Sequence, residues 1–292
     1  MRAVTVFGLG TMGAGMAGQL LAKGFQVTVW NRSSNDRTAA LAAAGARVAA
    51  TPREAAADAE VVVSMVADDA ASRSVWLGSD GALRTVRPGV VLIESSTVSP
   101  AWIVELAERA NGQGAVLIDA PVTGSRVQAE RGELLFLAGG PAETIDSARD
   151  VLLAMGRDVV HLGPLGAGAF VKLVNNFMCG VQVAALAEAV ALVEASGLDR
   201  EKALGILLNG APGSPLVKAV TARMTAADYD VHFRVDLMAK DLAYASDVAS
   251  RHGIPLHTAA AALRSFHAAS TAGLGDRDIS AVVEPLRAIL TA

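Results

Sequence analysis

The sequence predicts an α/β protein: a doubly wound parallel sheet over residues 1–163, followed by an all-α domain over 164–292. Three observations carry that expectation. Short β-branched runs alternate with alanine-rich helical stretches through the first half of the chain. A glycine triplet interrupts the first strand-to-helix junction. After "HLGPLGAGAF" no further strand series follows.

The strand candidates come in order as "AVTVFG", "QVTVWN", "EVVVSMV", "GVVLIES", "AVLIDAP", "ELLFLAGG" and "DVVHLG". Continuous apolar runs of this kind suit strands buried on both faces of a parallel sheet. Helix starts are marked between them. Thr51-Pro52-Arg53-Glu54 offers a cap, a proline at the first helical position and a capping-box glutamate; Ser99-Pro100 repeats the first two of these. In the second half, helical patterns are broken at "GLDREK", "GAPGSP" and "RHGIP", and Gly163, Pro164, Gly166 and Gly168 mark the domain boundary.

Composition narrows the class. The chain has 292 residues, 52% hydrophobic and 18% charged, which is enough for two folded domains and excludes a disordered chain. A net charge of −4 gives no electrostatic reason to expect nucleic acid. The lone cysteine, Cys179, cannot form an intramolecular disulfide and suits a reducing, cytoplasmic setting; it is either a small core residue or a reactive thiol. The helix from Phe177 to Val193 is apolar, but Gln182 and Glu188 interrupt it, so a core helix is expected rather than a membrane span. No metal site is expected.

The glycine triplet is Gly8-Leu9-Gly10-Thr11-Met12-Gly13. Directly after a strand and opening a helix, it has the context of a dinucleotide fingerprint in a Rossmann-type domain. Gly8 permits the tight turn, Gly10 lets backbone approach a pyrophosphate, and Gly13 allows close helix–sheet packing. The pyrophosphate would rest on N–H groups at the positive end of the helix. At the end of the second strand, where an NAD enzyme usually places an acid for the ribose, the chain has Asn31, Arg32 and Ser33. A guanidinium can pair with a 2′-phosphate that a carboxylate would repel, so NADP(H) is expected over NAD(H).

The second half opens with "VKLVNNFMCGVQVAALAEAVALV", an apolar helix carrying one cation, Lys172. Such a lysine can be a surface residue whose stem covers apolar area. Yet Lys172, Asn176 and Cys179 share one helical face, and no Asp or Glu lies within a turn of the lysine along that helix. A lysine near an apolar wall should have a lowered pKa, which suits proton donation at neutral pH. Asn176 would orient either a substrate oxygen or the ammonium. "DAPVTGS" supplies Thr123, Gly124 and Ser125 after a strand, a turn whose hydroxyl and backbone donors suit a carboxylate. "ESSTVSP" likewise places Ser96, another candidate for substrate, and Thr97 at a strand end.

Taken together, "FGLGTMGAGMA", "DAPVTGS", "GAGAFVKLVNN" and "FRVDLMAKDLAYA" resemble the ordered motifs of the β-hydroxyacid dehydrogenase family. This family includes 3-hydroxyisobutyrate dehydrogenases and glyoxylate/succinic semialdehyde reductases. The resemblance covers essentially the whole chain. It implies that Lys172 is the catalytic lysine and Asn176 its companion. It implies as well that Lys240, Val66, Ala67 and Thr97 lie near the dinucleotide. Two departures bear on substrate identity: the substrate loop ends in Gly124-Ser125 where many members have two glycines, and "SMVAD" lacks a common proline. The expectation is therefore an NADP(H)-dependent enzyme that moves a hydride to or from a small carboxylate-bearing aldehyde or hydroxy acid, in a cleft between the two domains. The alternatives are an imine reductase, against which the lysine argues, and a non-catalytic dinucleotide-binding module. The alanine-rich helical domain suggests a homodimer or homotetramer.

Overall fold

The computed structural model describes residues 2–290, and the chain divides into two compact units, Met1–Lys172 and Leu173–Ala292. In the first, strands β1 (Ala3–Phe7), β2 (Gln26–Trp30), β3 (Arg47–Val48), β4 (Val61–Ser64), β5 (Val91–Glu94), β6 (Val116–Asp119), β7 (Val122–Thr123), β8 (Leu134–Gly139) and β9 (Gly156–Gly163) form one sheet. Its order is β3-β2-β1-β4-β5-β6-β8-β7, with β9 joined to β8. From β3 through β6 all neighbours are parallel. The order reverses direction between β1 and β4, the type of switch point where doubly wound sheets bind ligands.

Every strand run read from the sequence is a strand here. The two that were not anticipated, β3 and β7, are two residues each. The all-parallel expectation ends at β8, which pairs antiparallel with both β6 and β7. The physical reason is the short connection: one helix of six residues, Arg126–Arg131, is too little chain for a parallel crossover between β7 and β8.

Helices α1 (Thr11–Ala22), α2 (Asp36–Ala43), α3 (Pro52–Ala56), α4 (Asp69–Leu77), α5 (Pro100–Asn111), α6 (Arg126–Arg131), α7 (Ala142–Ser147) and α8 (Arg149–Met155) flank the sheet. They bury two apolar layers, one around Val4, Val6, Leu20 and Phe136, the other around Phe7, Trp76, Trp102 and Leu106. The caps predicted from sequence form: Thr51 Oγ1 accepts from Glu54 N–H at 3.1 Å, and Ser99 Oγ accepts from Trp102 N–H at 3.2 Å. The Glu54 carboxylate reaches Ala50 N–H, one residue earlier than a capping box would take it.

Helix α9 (Ala167–Ala195) continues from the first unit into the second. It has the length and hydropathy of a membrane span. Its Val183, Leu186, Ala187 and Val190 nevertheless belong to the core of the second unit, with residues of α11 (Pro215–Ala226), α12 (Val235–Arg251) and α13 (His257–Ala269). Among these elements α10 (Arg200–Asn209) follows α9, and α14 (Glu284–Leu290) ends the described chain. The breaks after α9, α10 and α12 fall where the glycine- and proline-bearing stretches predicted them, whereas the break between α11 and α12, residues 227–234, carries neither residue and was not anticipated. Polar staples add to the core: Arg287 holds Glu194 through two bonds of 2.6 and 2.8 Å and Glu284 at 2.7 Å. Hydrogen bonding to Arg287 holds the Glu194 carboxyl below its ordinary range.

Candidate active site

The glycine loop is shaped by close approach. Gly8 has φ +84°, and a Cβ there would lie 2.2 Å from the carbonyl oxygen of Met65. A Cβ on Gly13 would lie 1.9 Å from Gly8 O, so the first turn of α1 is pressed against the strand end. Gly10 differs: it is exposed, has φ −72°, and a Cβ would meet no protein atom within 4 Å. The start of α1 has no side-chain cap and no acidic residue in its first turn. Its N–H groups therefore meet no competing carboxylate, and the cradle fits the diphosphate of a dinucleotide. Leu9 is buried, while Thr11 and Met12 are half-buried.

Asn31 ties this loop to the end of β2. Its Oδ1 accepts from Leu9 N–H at 2.9 Å and its Nδ2 donates to Ser33 O at 2.7 Å. Gly8 N–H donates to Trp30 O at 2.9 Å. Arg32 and Ser33 are exposed. The structure thus joins Gly8, Leu9, Asn31 and Ser33 in one hydrogen-bonded group, with Arg32 beside it in sequence.

At the ends of β4 and β5, Val66 N–H donates to Ser96 Oγ at 2.8 Å. Ser96 is buried, and its own N–H donates to Glu94 Oε1 at 2.9 Å. Glu94 is fully buried and also accepts from Ser72 Oγ at 2.5 Å and Trp76 Nε1 at 2.8 Å. Trp102 Nε1 donates to Ser72 Oγ at 2.8 Å, which orients that hydroxyl toward the carboxylate. Burial pushes the Glu94 carboxyl up, and the donors from Ser72, Ser96 and Trp76 pull it back. Ser96 thereby braces the turn at Val66. Ala67 and Thr97 are half-buried on the same two loops.

The loop after β6 contains Thr123, the last residue of β7, then Gly124 at φ +122° and Ser125 at the start of α6. Ser125 N–H and its hydroxyl both donate to Gln128 Oε1, at 2.9 and 2.6 Å. Upstream, Asp119 is fully buried. Its Oδ1 accepts from Gly166 N–H and its Oδ2 from Ala169 N–H, both at 2.7 Å, at the start of α9. Burial raises this carboxyl, and the backbone donors of Gly166 and Ala169 act against that.

Lys172 lies on α9 three residues beyond Ala169 and is half-buried. Asn176 follows one turn later on the same helix, at 3% exposure. In the second unit, Asn176 Nδ2 donates to Asp241 Oδ2 at 2.5 Å. Asp241 is 1% exposed, and its Oδ1 lies 3.0 Å from Lys240 Nζ. The Lys240 ammonium in turn sits 5.1 Å from the centroid of the Tyr244 ring. Asn176, Asp241 and Lys240 are therefore one polar chain inside a helical core. Cys179 is half-buried, with Asn175 Nδ2 at 3.9 Å from its Sγ.

Reading the sequence missed Glu94, Asp119 and Asp241. Each had a signal. The two on strands are the only charges closing otherwise apolar strand runs, "VLIE" and "VLID", and Asp241 follows Lys240 in a helix.

Two family models divide this chain between them. The NAD binding domain of 6-phosphogluconate dehydrogenase matches residues 3–163, and the NAD-binding domain of NADP-dependent 3-hydroxyisobutyrate dehydrogenase matches residues 166–286. An L-threonate dehydrogenase of Cupriavidus necator is 36% identical, over 97% of this chain and 95% of its own. Glyoxylate/succinic semialdehyde reductase 1 of Arabidopsis thaliana is 33% identical, over 97% and 98%. The crystal structure of a 3-hydroxyisobutyrate dehydrogenase from Salmonella typhimurium superposes with a TM-score of 0.89 at 33% identity, covering 97% of this chain and 99% of that one. The chain belongs to the β-hydroxyacid dehydrogenase family and is an NAD(P)-dependent oxidoreductase. Neither an imine reductase nor a non-catalytic module is favoured by these matches.

Proposed function

We propose that the chain reduces a short semialdehyde bearing a carboxylate, or oxidises the matching hydroxy acid, with NADP(H) preferred over NAD(H). The observation that carries this reading is α9, one unbroken helix with Lys172 and the buried Asn176 a turn apart. The bound nicotinamide supplies or accepts the hydride. Lys172 gives its proton to the carbonyl oxygen as that oxygen gains charge, and the ammonium stabilises the charge before transfer. The Asn176 amide nitrogen donates to the Asp241 carboxylate and its Oδ1 accepts from Asn175 Nδ2 at 3.0 Å, which leaves one lone pair of that oxygen and one N–H of the amide for further partners. Asn176 serves as the companion of Lys172, orienting either the ammonium or a substrate oxygen. Thr123, Gly124 and Ser125 hold the substrate carboxylate, and the Val66, Ala67 and Thr97 loops together with Lys240 line the dinucleotide. The enzyme works in the cytoplasm, and exposed Val174, Met178 and Leu192 along α9 support its assembly as a homodimer or homotetramer.

Cofactor preference rests on Arg32 and Ser33, both exposed beside the glycine loop. Arg32→Ala should weaken NADPH binding by about 1–3 kcal/mol, the scale of a charge-assisted hydrogen bond. NADH binding should change much less. Dissociation constants of both cofactors for both proteins check this, and wild-type turnover with NADH equal to that with NADPH would overturn it.

Substrate class is tested by pairing an acid with its neutral counterpart. One ammonium cannot hold a carboxylate and also protonate the nascent alkoxide, so a separate anion site is required. Ser125 N–H and hydroxyl already donate to Gln128 Oε1, so the donors that butanal would leave without an anion are the Thr123 hydroxyl and the Gly124 N–H. Succinic semialdehyde should therefore exceed butanal by roughly tenfold to a hundredfold in kcat/KM. Following NADPH absorbance over the two substrates measures the ratio directly, and equal efficiency would remove the carboxylate site.

A further inference from the structure

We propose that Asp119 is a positioning residue for Lys172: its buried carboxylate clamps the first turn of α9 so that the lysine and the substrate loop are held to one rigid frame. The inference rests on the reading of Lys172 as proton donor.

Asp119 closes β6, and its backbone pairs with Gly139 of β8. Thr123, four residues on, pairs with Leu135 of that same strand. The substrate loop is therefore anchored to β8 through β7. The Asp119 side chain leaves this frame in the other direction. One oxygen takes Gly166 N–H and the other takes Ala169 N–H, each at 2.7 Å, so both oxygens are committed to the start of the helix that carries Lys172.

An ordinary helix cap uses one oxygen of a residue next to the helix in sequence. Here the cap comes from 47 and 50 residues away and grips two N–H groups at once. A bidentate grip fixes the rotation of the helix about its axis as well as its position. That rotation decides where a side chain one turn further on points.

The surrounding backbone is cut to fit the carboxylate. A Cβ on Gly139 would lie 2.5 Å from Asp119 Oδ1, and one on Gly168 would lie 2.9 Å from Oδ2 and 2.0 Å from Leu137 O. Two strands and a helix end thus approach so closely around this group that a side chain at either glycine would collide with it. Such rigidity suits a proton donor, because small misplacements of a reacting group are expensive in rate.

Asp119→Asn tests the clamp. An amide can accept with only one of its two ends, so its nitrogen would face a backbone N–H and the grip would be halved. Four proteins are compared with NADPH and succinic semialdehyde: wild type, D119N, K172A and the double variant. NADPH dissociation constants and thermal melting are measured in parallel. We expect D119N to lower kcat by about tenfold or more with the NADPH dissociation constant within about twofold of wild type. In the K172A background, adding D119N should change the residual rate by less than about twofold, because a residue acting through Lys172 has nothing left to position. If D119N lowers the K172A rate by the same factor as it lowers wild type, or leaves wild-type kcat intact, Asp119 is only a structural cap and the inference fails. If K172A itself keeps near-native turnover, the proposed function fails instead. Should D119N not fold, Asp119→Ser offers a smaller side chain with a single acceptor oxygen, and the same non-additivity with K172A decides.

Discussion

Lys172→Ala is expected to lose roughly 100-fold or more in kcat, the usual contribution of a positioned general acid. NADPH affinity should stay within a few-fold, since the glycine loop and Arg32 lie elsewhere on the chain. The competing reading of Lys172, as a stem that covers apolar surface, makes the opposite pair of forecasts: native turnover and lowered stability. Lys172→Met separates them, because it keeps the stem and removes only the ammonium. Losses of similar size in the Ala and Met variants would assign the effect to the charge. Lys172→Arg should not restore the rate, since a guanidinium holds its proton too firmly to donate it at neutral pH. Steady-state kcat and KM with the melting temperature of each variant decide the matter, and a Met variant with native kcat would return the lysine to a structural role.

The fold was legible because its signals are local. Apolar runs of strand length, proline after a capping hydroxyl, and glycines between helices all act through neighbours in sequence. That is why β1, β2, β4, β5, β6, β8 and β9 stand where their sequences place them. What depends on distant pairing was not legible. The antiparallel setting of β8 follows from how little chain separates it from β7, and a two-residue strand such as β3 has no periodicity of its own.

The same division applies to the candidate site. Motif residues could be named from the chain, but their partners could not. Along its own helix Lys172 has no acid within a turn, and the acid at the start of that helix, Asp119, arrives from a strand 50 residues away from its farther donor. Asn176 finds Asp241 at a separation of 65 residues. Asn31 was expected beside the cofactor because of its place after β2, but nothing in its spacing showed that its amide would also tie Leu9 N–H to Ser33 O. Side chains that hold other side chains leave little trace in spacing, because the geometry they serve exists only after folding.

The glycine loop yields the second large effect, through a contrast between two alanine substitutions. Gly8→Ala should destabilise the protein by about 2–4 kcal/mol. It would place a side chain at φ +84° and set its Cβ 2.2 Å from Met65 O, so left-handed strain and overpacking against backbone act together. Gly10→Ala should change stability by no more than about 1 kcal/mol, because its φ of −72° suits any residue and its Cβ meets no protein atom within 4 Å, while alanine is the poorer N-cap. Its effect should fall on the cofactor. A methyl group on the exposed backbone at the uncapped start of α1 would stand where a diphosphate must come close to the N–H groups. Dinucleotide affinity should fall tenfold or more, about 1.4 kcal/mol at least. Denaturant unfolding and NADPH titration of both variants measure the two effects separately. If Gly10→Ala bound NADPH as tightly as wild type, the glycines would be serving the sharp turn alone, and the diphosphate would have to rest elsewhere.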